Sequence, residues 1–335
     1  MKIIYFLVRI VLVIVLTIVT FVFIFSFESI PERVSYGVSF SKFHSDELEL
    51  PWREVYQAVL YDLEVKRLRL TAHWPMIEPE NGRYSFEELD YQMDEARRAG
   101  ASVILVVGRR TPGWPECHDP NWAKDLDIAE REKKILSYIE EVVMRYKDYE
   151  NILYWQVENE PFLVGFSKHV CGPLRKEFLD QEIALVKSID PGREILVTDS
   201  GELSTWHGAY KRGDAFGTSL YLYVWTHWGG QLRYPITPAF FRAKRNIISL
   251  LYGEKKTILI ELSMEPWLLK PIVETDMDTL LDRMSITKFN NSLAFARKAS
   301  FDTQYLWGVE WWYWMDAKGH PEYMEKAREL FRDGI

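Results

Sequence analysis

Apolar and polar positions along the chain follow one repeating order: a short apolar run, a polar cluster, then a longer stretch of helical period. Ile152, Leu153, Tyr154, Trp155 and Val157 form such a run and read as a buried strand. The run stops at Glu158-Asn159-Glu160, and Pro161 cannot continue a central strand. Ala101–Val107 is apolar apart from Ser102, the mark of a strand covered on both faces. Further strands are predicted at Tyr36–Ser41, Val65–Thr71, Glu194–Thr198, Ala215–Tyr221, Lys256–Glu261 and Gln304–Trp311. Helices are predicted near Pro51–Leu63, Glu87–Ala99, Ile128–Tyr146, Leu174–Ile189, Ala239–Leu251 and Asp278–Lys298. Pro51 suits an early helical position, where its missing N–H costs nothing. Strand and helix alternate throughout, which predicts a parallel α/β fold. A count of eight strands favours a closed (β/α)8 barrel over an open doubly wound sheet.

One apolar stretch stands apart. Ile10–Phe27 carries no charge and is long enough to cross a bilayer as a helix. A signal peptide would have a shorter apolar core and a small-residue cleavage site, whereas this run leaves through Phe25-Ser26-Phe27-Glu28. The expectation is a retained signal anchor over residues 1–30, ahead of a single domain at 31–335. Lys2 and Arg9 before the run, with Glu28 and Glu32 after it, favour an N-terminus inside and the domain on the extracytoplasmic side of the cell membrane. Cleavage of the segment would instead make the domain secreted.

Composition narrows the function. The chain has 335 residues and a net charge of −8. One barrel of roughly 250 residues plus an extension leaves no room for a second domain. The acidic balance argues against nucleic-acid binding, which usually needs a basic face. No Gly-rich phosphate cradle or dinucleotide fingerprint occurs, so no cofactor is implied. His73, His118 and His227 lie near strand ends, but no pair has His-x-x-x-His spacing, and no metal is expected. No protein partner is indicated.

Two stretches carry a family resemblance. Asn159-Glu160-Pro161 at the end of an apolar strand resembles the acid/base motif of glycoside hydrolase clan A, the retaining (β/α)8-barrel glycosidases. Arg69, Trp74, Glu78-Pro79, Gly82-x-Tyr84-x-Phe86 and Leu89-Asp90 resemble a second run common in that clan. The cellulase-like and β-galactosidase-like families are the most similar, and the resemblance extends from about Tyr36 to Trp314. It implies that Glu160 is the proton donor and that Asn159 binds a sugar hydroxyl. It also implies a nucleophile at the end of the seventh strand. Glu261 ends the apolar run there and is preferred over Glu265, four residues on. By the same resemblance Arg69 is the cation beside the nucleophile and Tyr221 the hydroxyl donor, with Tyr223 as the alternative. The two acids need different surroundings: Glu160 an apolar wall that keeps its proton, Glu261 a cation and hydroxyl donors that keep it ionised.

Thirteen tryptophans are many for this length. Trp74, Trp114, Trp206, Trp225, Trp228, Trp267, Trp311 and Trp312 lie near predicted strand ends, where indole rings can stack on the C–H faces of sugars. Clan A carries a tryptophan at the end of its eighth strand, for which Trp311 and Trp312 are the candidates. The substrate-binding set so implied is Arg69, His73, Trp74, Asn159, Tyr221, Trp225, Trp267, Trp311 and Trp312. Glu158 receives no role, and Glu310 is either a subsite contact or a buried acid. Cys117 and Cys171 fall after the third and fourth strands, neighbours in a barrel, and an external domain permits a disulfide between them. The implied activity is retaining hydrolysis of β-linked carbohydrate by double displacement. An envelope-glycan transglycosylase and a carbohydrate-binding pseudoenzyme are the alternatives.

Overall fold

A computed structural model describes residues 5–6, 9–13, 16–17, 20, 25–27, 29–172, 175–226 and 230–333. Among these residues eight parallel strands close into a barrel. They are β1 (Ser35–Ser39), β2 (Arg67–Thr71), β3 (Ser102–Val107), β4 (Ile152–Val157), β5 (Glu194–Asp199), β6 (Ala215–Leu220), β9 (Thr257–Ser263) and β10 (Thr303–Trp307). They follow one another around the barrel in chain order, and β10 closes on β1. Two short antiparallel strands, β7 (Tyr223–Thr226) and β8 (Gly230–Arg233), form a hairpin between β6 and the helix Pro238–Tyr252. The expected (β/α)8 architecture is therefore present.

Strand alternation divides the core in two. Ile104, Leu196, Ala215, Ile258, Ile260 and Tyr305 pack together in the lumen. Val103, Leu105, Val107, Ile195, Val197, Leu259 and Leu262 belong to the larger outer core between strands and helices. One irregularity decides the chemistry. Thr218 pairs with Leu259, yet Ser219 pairs with Glu261, so β9 carries an extra residue at that point. This bulge flips the side-chain parity. Without it, Glu261 would face the helices as Leu259 does.

Most predicted elements lie within one or two residues of their place, and Ile128–Tyr146 is helical over the expected span. Two departures matter. The stretch expected as one helix at Asp278–Lys298 is split into Met277–Arg283 and Ile286–Lys298, because Ser285 caps a new start by accepting from the Lys288 N–H. The last barrel strand ends at Trp307 instead of Trp311. Gly308, at φ 113°, turns the chain, and Val309–Ala317 is a helix.

The anchor expected over residues 1–30 falls partly outside the described residues. Among the described ones no helix is long and apolar enough to cross a membrane. Ile10–Val13 is helical, with its side chains exposed.

A Cβ at Gly308 would lie 2.8 Å from Glu265 Cβ, on backbone that L residues rarely adopt. Gly308→Ala is expected to cost about 1–3 kcal/mol of stability, read by urea unfolding. A loss below about 0.5 kcal/mol, within the range of a neutral surface change, would contradict this account.

Candidate active site

The C-terminal ends of the barrel strands form the mouth where this fold places chemistry. Arg69 points into the lumen from β2 and is almost fully buried. Its Nη1 donates to Glu261 Oε2 at 2.6 Å, its Nη2 to Asn159 Oδ1 at 2.6 Å, and its Nε to Gln156 Oε1 at 2.9 Å. Tyr221, just past β6, donates its hydroxyl to Glu261 Oε1 at 2.5 Å. Both oxygens of Glu261 therefore accept, a role suited to an ionised carboxylate. Tyr223 lies instead on β7, with Lys288 Nζ 5.8 Å from its ring. Asn159 Oδ1 also accepts from the Thr198 hydroxyl at 3.3 Å, so its Nδ2–H groups are what it can offer a sugar hydroxyl.

Glu160 leaves the strand differently. Glu158 and Glu160 both adopt left-handed backbone, at φ 59° and 44°, which turns the chain out of β4. The Glu160 N–H donates to Thr198 Oγ1 at 2.9 Å, while its buried Oε1 has no hydrogen-bond partner among the described residues. Burial, then the carboxylates of Glu261 and Glu116, push the Glu160 carboxyl well above its ordinary range. Burial and neighbouring negative charge both favour the protonated form of Glu160, whereas the Arg69 and Tyr221 donors meet both oxygens of Glu261.

Glu158, to which the sequence assigned no role, ties down a loop. It accepts from the backbone N–H groups of Arg109 and Arg110 at 2.8 and 2.7 Å. Glu182, on the helix Lys176–Ile189, shares a hydrogen bond with it. Burial and the Glu158 charge push the Glu182 carboxyl well upward, so the pair holds a proton between them. Arg110 pairs with Glu116 at 2.5 Å, and Arg109 bonds Asp119 and the Cys171 carbonyl. Cys117 and Cys171 are joined by the expected disulfide.

The tryptophans require correction. Trp311 and Trp312 are fully buried in the helix that follows Gly308. Trp312 Nε1 donates to the Met264 carbonyl at 2.9 Å, and Trp311 packs on Tyr323. They face the core because the strand ends four residues earlier than expected. Trp307 occupies the strand end instead, its Nε1 donating to Glu265 at 2.7 Å beside the His44 ring. A glycine directly after an aromatic strand residue was the available signal. Trp74 is also buried, with its Nε1 on Glu78 at 2.8 Å, and Trp206 is buried as well. Trp225 lies under the Arg283 guanidinium on the hairpin. Trp267 keeps its expected place, its ring edge-on to Tyr221 at 5.0 Å. Trp114 is exposed on its loop. Trp228 and His227 lie outside the described residues.

Three further titratable groups lie in this region, His44, Glu310 and His73. His44, which the sequence reading passed over, meets Glu265 at 2.7 Å. Burial opposes its charge, but the Glu265 carboxylate prevails and raises its pKa well above the ordinary value. Glu310 accepts from the Ser41 N–H at 2.6 Å, and burial lifts it to about 7, in keeping with the buried-acid reading. His73 is buried against Phe43 and His118, and burial lowers it well below its ordinary value. Its Nε2 has no partner among the described residues. No group of three or more His, Cys, Asp or Glu among the described residues could hold a metal ion.

Comparisons with known proteins bear on the family and the fold. The model of glycosyl hydrolase family 10 matches residues 70–184, the segment that holds Asn159 and Glu160. No curated protein matches the sequence. Solved structures share the fold. A GH5_18 protein from Bifidobacterium longum subsp. longum is 12% identical, with a TM-score of 0.57 over 82% of this chain and 70% of that one. Xylanase 10B from Thermotoga petrophila, in complex with xylobiose, is 15% identical, with a TM-score of 0.50 over 82% of each chain. Endo-glycoceramidase II from a Rhodococcus species, as a lactosyl-enzyme intermediate, is 15% identical, with a TM-score of 0.52 over 82% of this chain and 72% of that one.

The raised Glu182 carboxyl makes stability depend on pH. Folded Glu182 keeps a proton that the unfolded chain releases, so the stability it contributes is complete below the ordinary carboxylate range. That contribution is lost as pH climbs through its folded value. Glu182→Gln retains a donor that does not titrate. Urea unfolding at about pH 5 and about pH 8 is expected to show a smaller loss in the variant than in the parent chain. Equal losses would remove the shared proton.

Proposed function

We propose that this clan A glycosidase cleaves β-linked poly- or oligosaccharide with retained configuration, using Glu261 as nucleophile and Glu160 as acid/base. The observation that carries the reading is the pairing of two unlike acids. Glu261 is held by Arg69 and Tyr221, while the Glu160 carboxyl is buried, is pushed well above its ordinary range and has one oxygen without a partner among the described residues. In the first step a Glu261 oxygen bonds to the anomeric carbon as the glycosidic bond breaks, and Glu160 delivers its proton to the departing oxygen. In the second, Glu160 as carboxylate takes a proton from water, whose oxygen displaces Glu261 from the same carbon. Asn159, oriented by Arg69 and Thr198, suits a sugar hydroxyl, and Trp267 beside Tyr221 and Trp307 beside Glu265 offer aromatic faces.

Residues 1–30 are read as a membrane anchor with the barrel on the extracytoplasmic side. The uncharged run Ile10–Phe27 supports this, as does the exposure of Val11, Leu12, Val13 and Leu16.

The test is a panel of β-linked polysaccharides and aryl β-glycosides, with the anomeric form of the first product followed directly. Retention is expected. Glu261→Ala should lower kcat by roughly 10⁴-fold or more. Glu160→Ala should lose about 10²–10⁴-fold on unactivated substrates and recover on activated ones when azide is added. An inverted first product would rule out double displacement. Activity that survives in Glu261→Ala but not in Glu265→Ala would move the nucleophile.

The pH profile gives a separate check. Because Glu160 must carry its proton, kcat/KM should fall as pH rises through its raised pKa. With a good leaving group, Glu160→Gln should lack that alkaline fall. A limb that persists unchanged would assign it to another group.

A further inference from the structure

The rim opposite the mouth has its own character. β1 enters the barrel there at Ser35, eight residues after Phe27, a span of at most about 28 Å when fully extended. The end of the apolar segment is also held directly on the barrel flank. Arg242 Nε donates to the Ser26 carbonyl at 2.8 Å, and Asn246 Nδ2 to the Phe25 carbonyl at 2.7 Å. Both donors lie on the helix Pro238–Tyr252, four residues apart and so on one face. Reading back from residue 26 to 25, the chain passes from the Arg242 level to the Asn246 level, toward the C-terminal end of that helix.

The next position on that face is Leu250. It is 73% exposed, its neighbour Leu251 is 63% exposed, and Tyr252 follows at 37%. Lys255 and Lys256 follow them in sequence, and Lys211 and Lys298 stand at the C-terminal ends of the helices His207–Tyr210 and Ile286–Lys298. Lys255 reaches the carbonyls of Tyr210 and Gly213, Lys256 pairs with Asp302, and Arg242 bonds the carbonyl of Lys298. In a chain of net charge −8, adjacent exposed leucines followed by Lys255 and Lys256, at the end of the barrel where Lys211 and Lys298 also end their helices, suit the boundary between acyl chains and anionic headgroups.

We propose that this rim is the seat of the barrel on the bilayer, with Leu250 and Leu251 in contact with lipid and the active-site mouth opening away from the membrane. The proposal rests on the reading of residues 1–30 as an anchor. The helix Pro238–Tyr252, 15 residues or about 22 Å long, then stands between the bilayer and the mouth. The substrate class follows from that orientation. Glu160 and Glu261 would meet glycan chains arriving from the surrounding medium or wall, and not the headgroups of glycolipids in the same bilayer.

The full chain, in vesicles containing anionic phospholipid, allows a direct test. Cys117 and Cys171 are bonded to each other, so a cysteine introduced on the surface is the specific target for a thiol-reactive nitrobenzoxadiazole dye. Leu250→Cys and Leu251→Cys change exposed positions, and Leu203→Cys places the same dye on the exposed loop after β5, at the mouth. Flotation of the full chain with the vesicles is read first, since failure to float removes the anchor and the seat together. For chain that floats, a blue-shifted emission and several-fold stronger quenching by nitroxide-bearing lipid are expected at positions 250 and 251 but not at 203. Water-like emission at all three positions would overturn the seat while leaving the anchor. Lipid quenching at 203 but not at 250 would reverse the orientation.

Discussion

A guanidinium sealed inside a protein is tolerable only if its charge and its N–H groups are satisfied together. Arg69 meets that condition with three partners from separate parts of the barrel. Glu261 comes from β9, Gln156 from β4, and Asn159 from the turn that leads to Glu160. Removing any one would leave a buried charge or donor short, at a cost of several kcal/mol where the charged partner is lost. The arrangement is therefore locked from both sides. The carboxylate needs the cation to be buried, and the cation needs the carboxylate to be there.

Two local breaks in regular structure bring the unlike acids to the one cation-centred site. A bulge in β9 rotates Glu261 from the outer core into the lumen, where Arg69 and Tyr221 reach it. Left-handed backbone at Glu158 and Glu160 carries the second acid off the end of β4, beyond the guanidinium and into a buried setting where its Oε1 has no hydrogen-bond partner among the described residues. An unbroken strand would have sent Glu261 toward the helices, and a regular β4 could not have turned away from Arg69 so abruptly. Each break costs local stability, and such costs persist where the surroundings over-determine the geometry. Here the surroundings are the Thr198 hydroxyl oxygen, which accepts from the Glu160 N–H, and the Arg109 and Arg110 N–H groups, which donate to Glu158.

What was legible in the sequence follows from this division. Strand and helix periods gave the barrel, because burial leaves its mark in composition, while the clan resemblance pointed to Glu160 and Glu261 at the ends of apolar runs. The resemblance of Arg69, Asn159 and Tyr221 to a clan pattern supplied partners that periodicity alone could not. The bulge left no such mark, since an extra residue within Ile258-Leu259-Ile260 looks like any other apolar residue. Trp311 and Trp312 misled for the opposite reason. Their run with Trp307 looked continuous, and only the φ of Gly308 shows that the strand has already become a helix. Glu182 was invisible because its partner Glu158 lies on another element, 24 residues away in sequence (182 − 158).

The loop between β3 and the helix Ile128–Tyr146 connects these local facts to proton chemistry. Glu116 is among the charges that hold the Glu160 proton, and its position depends on Arg110. The backbone of Arg110 is in turn fixed by Glu158, and the far end of the loop by the disulfide from Cys117. A carboxylate placed on an untethered loop would drift toward water and exert little field on its neighbour, because screening by solvent falls away only where motion and water are both excluded. The disulfide, the shared proton of Glu158 and Glu182 and the Arg110–Glu116 pair thus serve one end. They hold the Glu116 carboxylate where it adds to the upward push that burial and Glu261 exert on Glu160, without letting it take the place of Glu261 beside Arg69.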